Sequence, residues 1–272
     1  MGGSLALALR PHVKKVTAVE LDPDARRVAL EREMADEITG DLRRGIAVAD
    51  LIILATPVGA ILKIIEQLPL WRPEGCYLLD VGSTKGHICA AMETMPVQFA
   101  AIGGHPMCGK ESSGPEFADE SLFQNRAFIL SRTRRTNEPL ERAALSILGV
   151  IGARPLFLEP KEQDQLVALV SHLPYFVASL LMQQAALAAA GDERVWEVSA
   201  SGFRDSTRLS GSDAGMLHDI AVTNRSAILH ALRRHMSHVE GLIAHLESED
   251  DSALSAWLQE RQAEYSAYRD RR

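Results

Sequence analysis

Aromatic side chains are scarce in this sequence: Phe, Tyr and Trp make up 5% of its 272 residues. So few rings argue against base-stacking platforms, and acids outnumber bases 36 to 29, a net charge of −7. Together these disfavour nucleic acid and an anionic membrane as partners, while leaving room for a local basic pocket. Cysteine is scarcer still. Cys76, Cys89 and Cys108 are an odd number without paired or metal-type spacing, the usage of a reduced, cytoplasmic protein. No apolar run is expected to reach the roughly 18 residues of a membrane span. The start, Met1-Gly2-Gly3-Ser4-Leu5-Ala6, lacks the charged region of a secretory signal. Repeats and low-complexity tracts are absent. No metal set is expected, because among His230, His235, His238 and His245 only His235 and His238 share i,i+3 spacing. No carboxylate or cysteine completes that pair, so it reads as a solvated face.

What is present is a core. The chain is 46% hydrophobic and 24% charged, long enough for one large domain or two ordinary ones. In the first half, short apolar runs alternate with helical patterns. Lys15–Glu20 reads as a strand ending in an acid and Pro23–Met34 as a helix. Ala49–Ala55 reads as a strand stopped by Thr56-Pro57, Val58–Leu68 as a helix, and Cys76–Val81 as a strand. Phe99–Ile102 and Ala127–Ser131 follow as shorter strands. Strands buried on both faces and separated by helices predict a parallel, doubly wound α/β sheet. Near Pro155 the strand signals stop. The predicted division is 1–155, a dinucleotide-binding domain, and 156–272, an all-helical domain. Lys161–Ala190 carries a helical apolar period that Pro174 should kink and Gly191 end. Ser212 and Asp213 offer an N-cap for one helix running to about Glu247, some 35 residues and about 50 Å long. A helix of that length commonly spans a subunit interface, which predicts a homodimer through the C-terminal helices; a bundle closed within one chain is the alternative. Asn224 and His235 interrupt its stripe and read as interface polar groups, while Arg132, Arg134 and Arg135 read as a solvated loop.

Gly2-Gly3-Ser4 opens a short helix that Pro11 closes, and Glu20 ends the next strand. A glycine turn at a helix N-terminus, then an acid about 20 residues on, is the second half of a dinucleotide-binding unit. The glycines let backbone approach a pyrophosphate, and the acid accepts from ribose hydroxyls. A helix that merely starts with small residues is the competing reading. The complete fingerprint has two earlier glycines and a preceding central strand, so the expectation is that the functional protein starts upstream of Met1. Asp80-Val81-Gly82-Ser83-Thr84-Lys85 follows a buried strand, where parallel sheets bind ligands. An ordinary strand-to-helix turn capped by Ser83 would look the same. Gly103–Glu111 is too glycine-rich for regular structure and carries His105 on the expected ligand-binding edge. Ser171-His172-Leu173-Pro174 lies within the first long helix, and Ser201–Arg208 between helices. Arg204 and Arg208 there suit a carboxylate-rich small molecule, with an interhelix salt-bridge network as the bland alternative.

Taken in order, Gly2-Gly3-Ser4, Ala55-Thr56-Pro57-Val58, Asp80–Lys85, Gly104-His105-Pro106-Met107, Ser171–Pro174 and Gly202–Arg208 resemble the prephenate/arogenate dehydrogenase family. The likeness runs from Met1 to about Asn224; Lys110 departs from it, standing where the family often has threonine. The resemblance implies an NAD-dependent oxidative decarboxylation in tyrosine biosynthesis. Hydride leaves the hydroxyl-bearing ring carbon, the ring carboxylate departs as CO₂, and the ring becomes aromatic. It implies His105 as acceptor for the substrate hydroxyl, with Ser83 hydrogen-bonded to it. Arg208 would hold a substrate carboxylate, with His172, Arg204 and Glu111 as further contacts. Gly2, Gly3, Ser4, Glu20, Thr56, Pro57 and Val58 would bind the cofactor. Glu20 repels a 2′-phosphate and favours NAD, with NADP as the alternative because Arg26 and Arg27 lie close by. Glu111 suits the ammonium of arogenate and Lys110 argues for prephenate, so both substrates stay open. Three other functions compete with this one. A serine hydrolase built on Ser83 lacks the G-x-S-x-G elbow. A β-hydroxyacid dehydrogenase needs a helix lysine for which Lys161 is poorly placed. The third is a truncated, non-catalytic dimerising paralogue.

Overall fold

A computed structural model of the chain describes residues 1–109, 112 and 114–271, and falls into two units, Met1–Arg225 and Ser226–Arg272. The first unit opens with helix α1 (Gly2–Leu9) and a parallel strand pair, β1 (Thr17–Val19) and β2 (Glu37–Thr39), with α2 (Pro23–Glu31) between them. After α3 (Leu42–Ile46) comes a five-stranded sheet in chain order: β3 (Leu51–Leu54), β4 (Tyr77–Asp80), β5 (Ala100–Pro106), β6 (Ala127–Arg132) and β7 (Arg154–Phe157). Helices α4 (Val58–Trp71), α5 (Gly86–Glu93) and α6 (Glu138–Val150) cross between strands. Pairing is parallel except between β5 and β6, so the expected all-parallel sheet carries one antiparallel step. The connection explains it: β5 and β6 are joined by a segment whose described regular structure is a single 3₁₀ turn, Pro115–Phe117, and no helical crossover carries the chain back.

The doubly wound arrangement is visible in the residues themselves. Neighbouring side chains on a strand point to opposite faces. Leu78 and Ala101 join Ile52, Ile61, Ile65 and Ile88 in one buried cluster, while Leu79 and Ile102 join Leu5, Phe128, Leu140 and Leu148 in the other. Each core is therefore capped by its own helices. Local signals begin several of them, with Asp22, Asp41 and Asn137 accepting hydrogen bonds from Asp24, Arg44 and Leu140 backbone N–H at the starts of α2, α3 and α6.

Three elements depart from the sequence reading. Strands β2 and β7 were not expected, and β7 straddles the predicted division at residue 155. The glycine-rich stretch expected to be a loop is instead the second half of β5, pairing Gly103, Gly104 and His105 with Ser131, Leu130 and Ile129. Crowding accounts for this, because a Cβ on Gly104 would lie 2.5 Å from the Asp80 carbonyl oxygen and 2.9 Å from Phe128. Here glycine makes room for close packing within a strand.

The helical segment begins with α7 (Pro160–Val167), a π-helical turn (Ala168–His172) and α8 (Leu173–Ala189). The wide turn sits just ahead of Pro174, whose ring clashes with the preceding turn and which has no N–H to donate; a π turn absorbs that mismatch without a break. Contrary to the sequence expectation, Pro160–Ala189 is long and apolar enough to cross a membrane by length and composition, with 22% of its most apolar window buried. Leu166, Leu169, Val170, Leu180, Leu181 and Leu187 stand exposed along it. Next come α9 (Arg194–Glu197), α10 (Ser201–Thr207), a 3₁₀ turn (Arg208–Gly211) and α11 (Ala214–Thr223). Asp213 caps α11 as expected, accepting from Met216 N–H at 2.7 Å. The single long helix does not form. Asn224 leaves helical geometry at φ −122°, ψ 27°, and α12 starts afresh at Arg225, running to Glu247. The second unit holds the rest of α12 and α13 (Asp251–Arg269), whose N-cap Asp250 accepts from Ser252 and Ala253 N–H.

Candidate active site

Strand β5 outruns its neighbour. Its pairing with β4 ends at Ile102, so Gly103–Pro106 overhangs the sheet with only β6 beside it. On the open edge, the Asp80 side chain takes the place of a strand: Oδ1 accepts from Gly104 N–H at 3.1 Å, and Oδ2 from Gly82 N–H at 2.8 Å. The Lys85 ammonium closes on the same Oδ2, and both side chains are wholly buried. Burial raises the Asp80 carboxyl above its ordinary range, against the opposing pull of Lys85 and the two N–H groups. The pair thereby ties the Val81–Thr84 loop to the strand that carries His105.

His105 is half-buried, but its Nδ1 is sealed from solvent and has no hydrogen-bond partner among the described residues. Loss of hydration pulls its pKa down to about 3, and the nearby Lys85 ammonium and His172 push the same way. The imidazole is therefore neutral throughout the physiological range and able to accept a proton. The expected bond from Ser83 is not formed among the described residues. Ser83 stands half-buried on the loop, and its carbonyl accepts weakly from Gln163 Nε2 at 3.4 Å.

The second wall comes from the helical segment. Asp164 on α7 accepts from the N–H groups of Lys85 (2.7 Å) and Gly86 (2.8 Å), and so caps α5, which has no side-chain cap of its own. Asn224 donates Nδ2–H to the Asp164 carbonyl at 2.7 Å and lies 3.3 Å from His172 Nδ1. Since the amide is oriented as a donor, His172 accepts at Nδ1 and carries its proton on Nε2. His172 is buried and its pKa is pulled down to about 4 by lost hydration. Asn224, expected at an interface, is thus an interior group, and this is why the helix breaks there. Nearby, Thr223 donates to the Asp219 carbonyl, which leaves the Thr84 hydroxyl to donate to Thr223 at 2.8 Å. Asp219 Oδ2 accepts from Gly59 N–H at 2.8 Å, capping α4.

The remaining expected residues fall in two groups. Arg204 on α10 and Arg208 at the following 3₁₀ turn are exposed, and that turn packs along α8, the helix that begins directly after His172. Lys110 and Glu111 lie outside the described residues. Beside Ala55, just past the end of β3, the first turn of α1 shows no side-chain cap among the described residues, a helix start of the kind that suits an anion. A Cβ on Gly2 would come 3.2 Å from Ala55, and one on Gly3 3.1 Å from Ala118 and 3.2 Å from Met34, a cradle that side chains would fill. Ser4 is buried, its hydroxyl accepting from Asp119 N–H at 3.0 Å. Glu20 directly follows β1 and is half-buried, with Oε1 accepting from Asp22 N–H. Arg26 donates to the Glu20 and Leu21 carbonyls and Arg27 to Glu31, so both guanidinium groups beside Glu20 are engaged. Thr56 and Pro57 are exposed ahead of α4, and Val58 is buried in the core beneath it.

Sequence reasoning passed over Gln163, Asp164, Asp219 and Thr223. The run Lys161-Glu162-Gln163-Asp164-Gln165 looks uniformly solvated. The available signal was that Gln163 and Val167 share a face one turn apart, with Asp164 beside them; all three are buried.

Comparison with known proteins agrees with this architecture. Residues 5–156 match the family described as prephenate dehydrogenase, nucleotide-binding domain, and residues 159–260 that described as prephenate dehydrogenase, dimerization domain. Prephenate dehydrogenase of Bacillus subtilis (strain 168) is 30% identical over 258 residues, covering 93% of this chain and 70% of the relative. The crystal structure of Synechocystis arogenate dehydrogenase superposes with a TM-score of 0.82 at 30% identity, covering 98% of this chain and 96% of that one. That of A. aeolicus prephenate dehydrogenase, in complex with hydroxyphenyl propionate and NAD+, gives 0.91 at 25% identity, covering 98% and 94%. The chain belongs to the prephenate dehydrogenase family and carries that family's nucleotide-binding and dimerization domains.

Proposed function

We propose that this chain oxidises and decarboxylates prephenate to 4-hydroxyphenylpyruvate with NAD, as a step of tyrosine biosynthesis in the cytoplasm; arogenate, giving tyrosine, is the alternative substrate. The observation that carries the reading is a neutral, half-buried imidazole, His105, on a strand overhang beside a second neutral imidazole, His172, in a chain of this family. Bound NAD supplies the hydride acceptor. The uncapped first turn of α1 and the Gly2–Gly3 cradle suit its pyrophosphate, and Glu20 suits the ribose hydroxyls and repels a 2′-phosphate.

The protein's own task is orientation and proton handling, since aromatisation supplies the driving force. His105 takes the proton of the substrate hydroxyl as its carbon is oxidised, which requires the imidazole to be neutral beforehand. His172, with its proton on Nε2, is a donor for a substrate oxygen. Arg208 pairs with a substrate carboxylate, and Arg204 and Glu111 assist. Ser83 supports the loop close to His105. The division into a dinucleotide-binding part, 1–155, and a helical part, 156–272, belongs to the same reading. So does a homodimer. The exposed leucines of α8, and a stripe on α12 at Leu229, Met236, Val239, Ile243 and Leu246 spaced like the a and d positions of a coiled coil, suit burial against a second copy.

A steady-state assay of the purified chain with prephenate and arogenate, each with NAD and NADP, tests the reading. Reduction of NAD with release of CO₂ from either substrate is expected, with NADP the poorer cofactor. A dimer that binds NAD and turns over neither substrate would overturn it.

A further inference from the structure

Of the buried side-chain atoms left without a hydrogen-bond partner among the described residues, two belong to one cluster: Nδ1 of His105 and Oε1 of Gln163. Gln163 is completely buried on α7, and its carboxamide has one sensible orientation. Nε2 donates to Asp164 Oδ1 at 3.2 Å and faces the Ser83 carbonyl at 3.4 Å. Turned over, Oε1 would meet two oxygen atoms. Oε1 is therefore the end reserved for a donor, and the ring beside it is His105. Gln163 is the side chain whose hydrogen bonding holds the His105 pKa up against burial, while Nδ1 and Oε1 both stand without a partner among the described residues. A donor and an acceptor each buried without a partner are costly, about 1–3 kcal/mol apiece, and a small tightening of the pocket removes both penalties at once. Contacts of this kind are often loose before the substrate binds.

We propose that Gln163 is a positioning residue for His105: its Oε1 accepts from Nδ1–H, holds that tautomer, and leaves the Nε2 lone pair to take the substrate hydroxyl proton. The proposal rests on the dehydrogenase reading above for the second half of that statement only. When the proton moves from the substrate oxygen to Nε2, the ring becomes an imidazolium whose Nδ1–H stays on Gln163. An amide suits the position better than a carboxylate, because it fixes the tautomer without making the resting ring basic enough to be protonated before substrate arrives. The charged and titratable groups about the ring act in keeping. The Lys85 ammonium and His172 favour the neutral form, Asp80 is committed to Lys85, and Asp164 is committed to Gln163 and the start of α5.

The test is ¹⁵N NMR of the full chain, with the His105 signal assigned by its loss in His105→Asn. Expected for the wild type is a protonated Nδ1 and an unprotonated Nε2. Gln163→Met should let the ring populate both tautomers and lower kcat on the order of 10- to 100-fold, with KM little changed. Should that variant fail to fold, Gln163→Glu, of nearly the same size, carries the test. Its added carboxylate should move the acid limb of kcat/KM upward by about one pH unit or more. A protonated Nε2 in the wild type, a Met variant with unchanged tautomer and kcat, or a Glu variant with an unmoved acid limb would overturn the proposal. If neither substrate turns over while the Nδ1 proton is present and Gln163-dependent, the reaction assignment fails and the contact stands.

Discussion

The two faces of the candidate site are built by different means. The α/β face holds His105 through a strand, with cores packed on both sides of the sheet and Leu79 and Ile102 buried one register away. The face from α7, the π turn and α11 is held by polar groups: Asp164, Asn224, Asp219 and Thr223, each bonded to backbone or to one another. Apolar burial is cumulative and forgiving, whereas a buried hydrogen bond fails completely when one partner is removed. Damage to the strand face should therefore appear mainly in chemistry, and damage to the helical face mainly in stability and assembly of the site.

The sharpest version of that contrast is a pair of substitutions. His105→Asn should lower kcat by about 10²- to 10⁴-fold, the range of a lost general base, with KM and thermal stability little changed. Arg208→Ala, on the exposed helical side, should instead raise KM while kcat falls less. Steady-state kinetics on both variants makes the comparison, and an intact kcat in His105→Asn would remove the imidazole from its proposed role.

Asp164→Ala attacks the helical face directly. It strands the Lys85 and Gly86 N–H groups at the start of α5 and frees the Gln163 amide. A loss of about 2–4 kcal/mol in unfolding free energy is expected, measurable by denaturant titration. A loss below about 0.5 kcal/mol would show that α5 needs no cap from α7.

The difference between the faces also governs what the sequence reveals. Short continuous apolar runs marked β3, β4 and β6, and the turn after β4 marked Ser83 and Lys85 as lying at a ligand edge, because burial on two sides writes itself into composition. The sequence singles out His105 as a candidate but places it in a loop, where the structure has a strand; the Gly103–Gly104 pair signals close packing as readily as a turn, and only the neighbouring Asp80 and Phe128 distinguish the two. The partners on the other face were illegible. Gln163 and Asp164 sit in a charged run that looks solvated, and Asn224 sits in an apolar stripe that looks continuous. Each is explained by an atom some 50 to 80 positions away in sequence, and no periodicity encodes such a partner. The same blindness merged α11 and α12 into one helix.

Both faces meet at the two imidazoles, which offer a pH test. His105 and His172 have folded pKa values lowered to about 3 and about 4, from an ordinary value of 6.5. Below the unfolded value the unfolded chain binds more protons than the folded one. Stability is thus complete above about pH 6.5 and is lost progressively as pH falls toward about 4 for His172 and about 3 for His105. Between pH 5.5 and 8 neither ring should titrate by NMR. A midpoint near 6.5 for either would mean that ring is solvated.

The smallest expected effect concerns the outermost contact of the helical face. Asp219 caps α4 by accepting from Gly59 N–H, but it is half-exposed and water can substitute for it. Asp219→Ala should therefore cost only about 1 kcal/mol, a fall of roughly 2–4 °C in Tm for a chain of this size. Asp219→Asn separates the two contributions, since asparagine caps nearly as well and removes only the attraction between carboxylate and helix N-terminus, about 0.3–1 kcal/mol. If Asp219→Ala proved as damaging as Asp164→Ala, exposure would not grade these caps, and the carboxylates of the helical face would have to act as one cooperative unit.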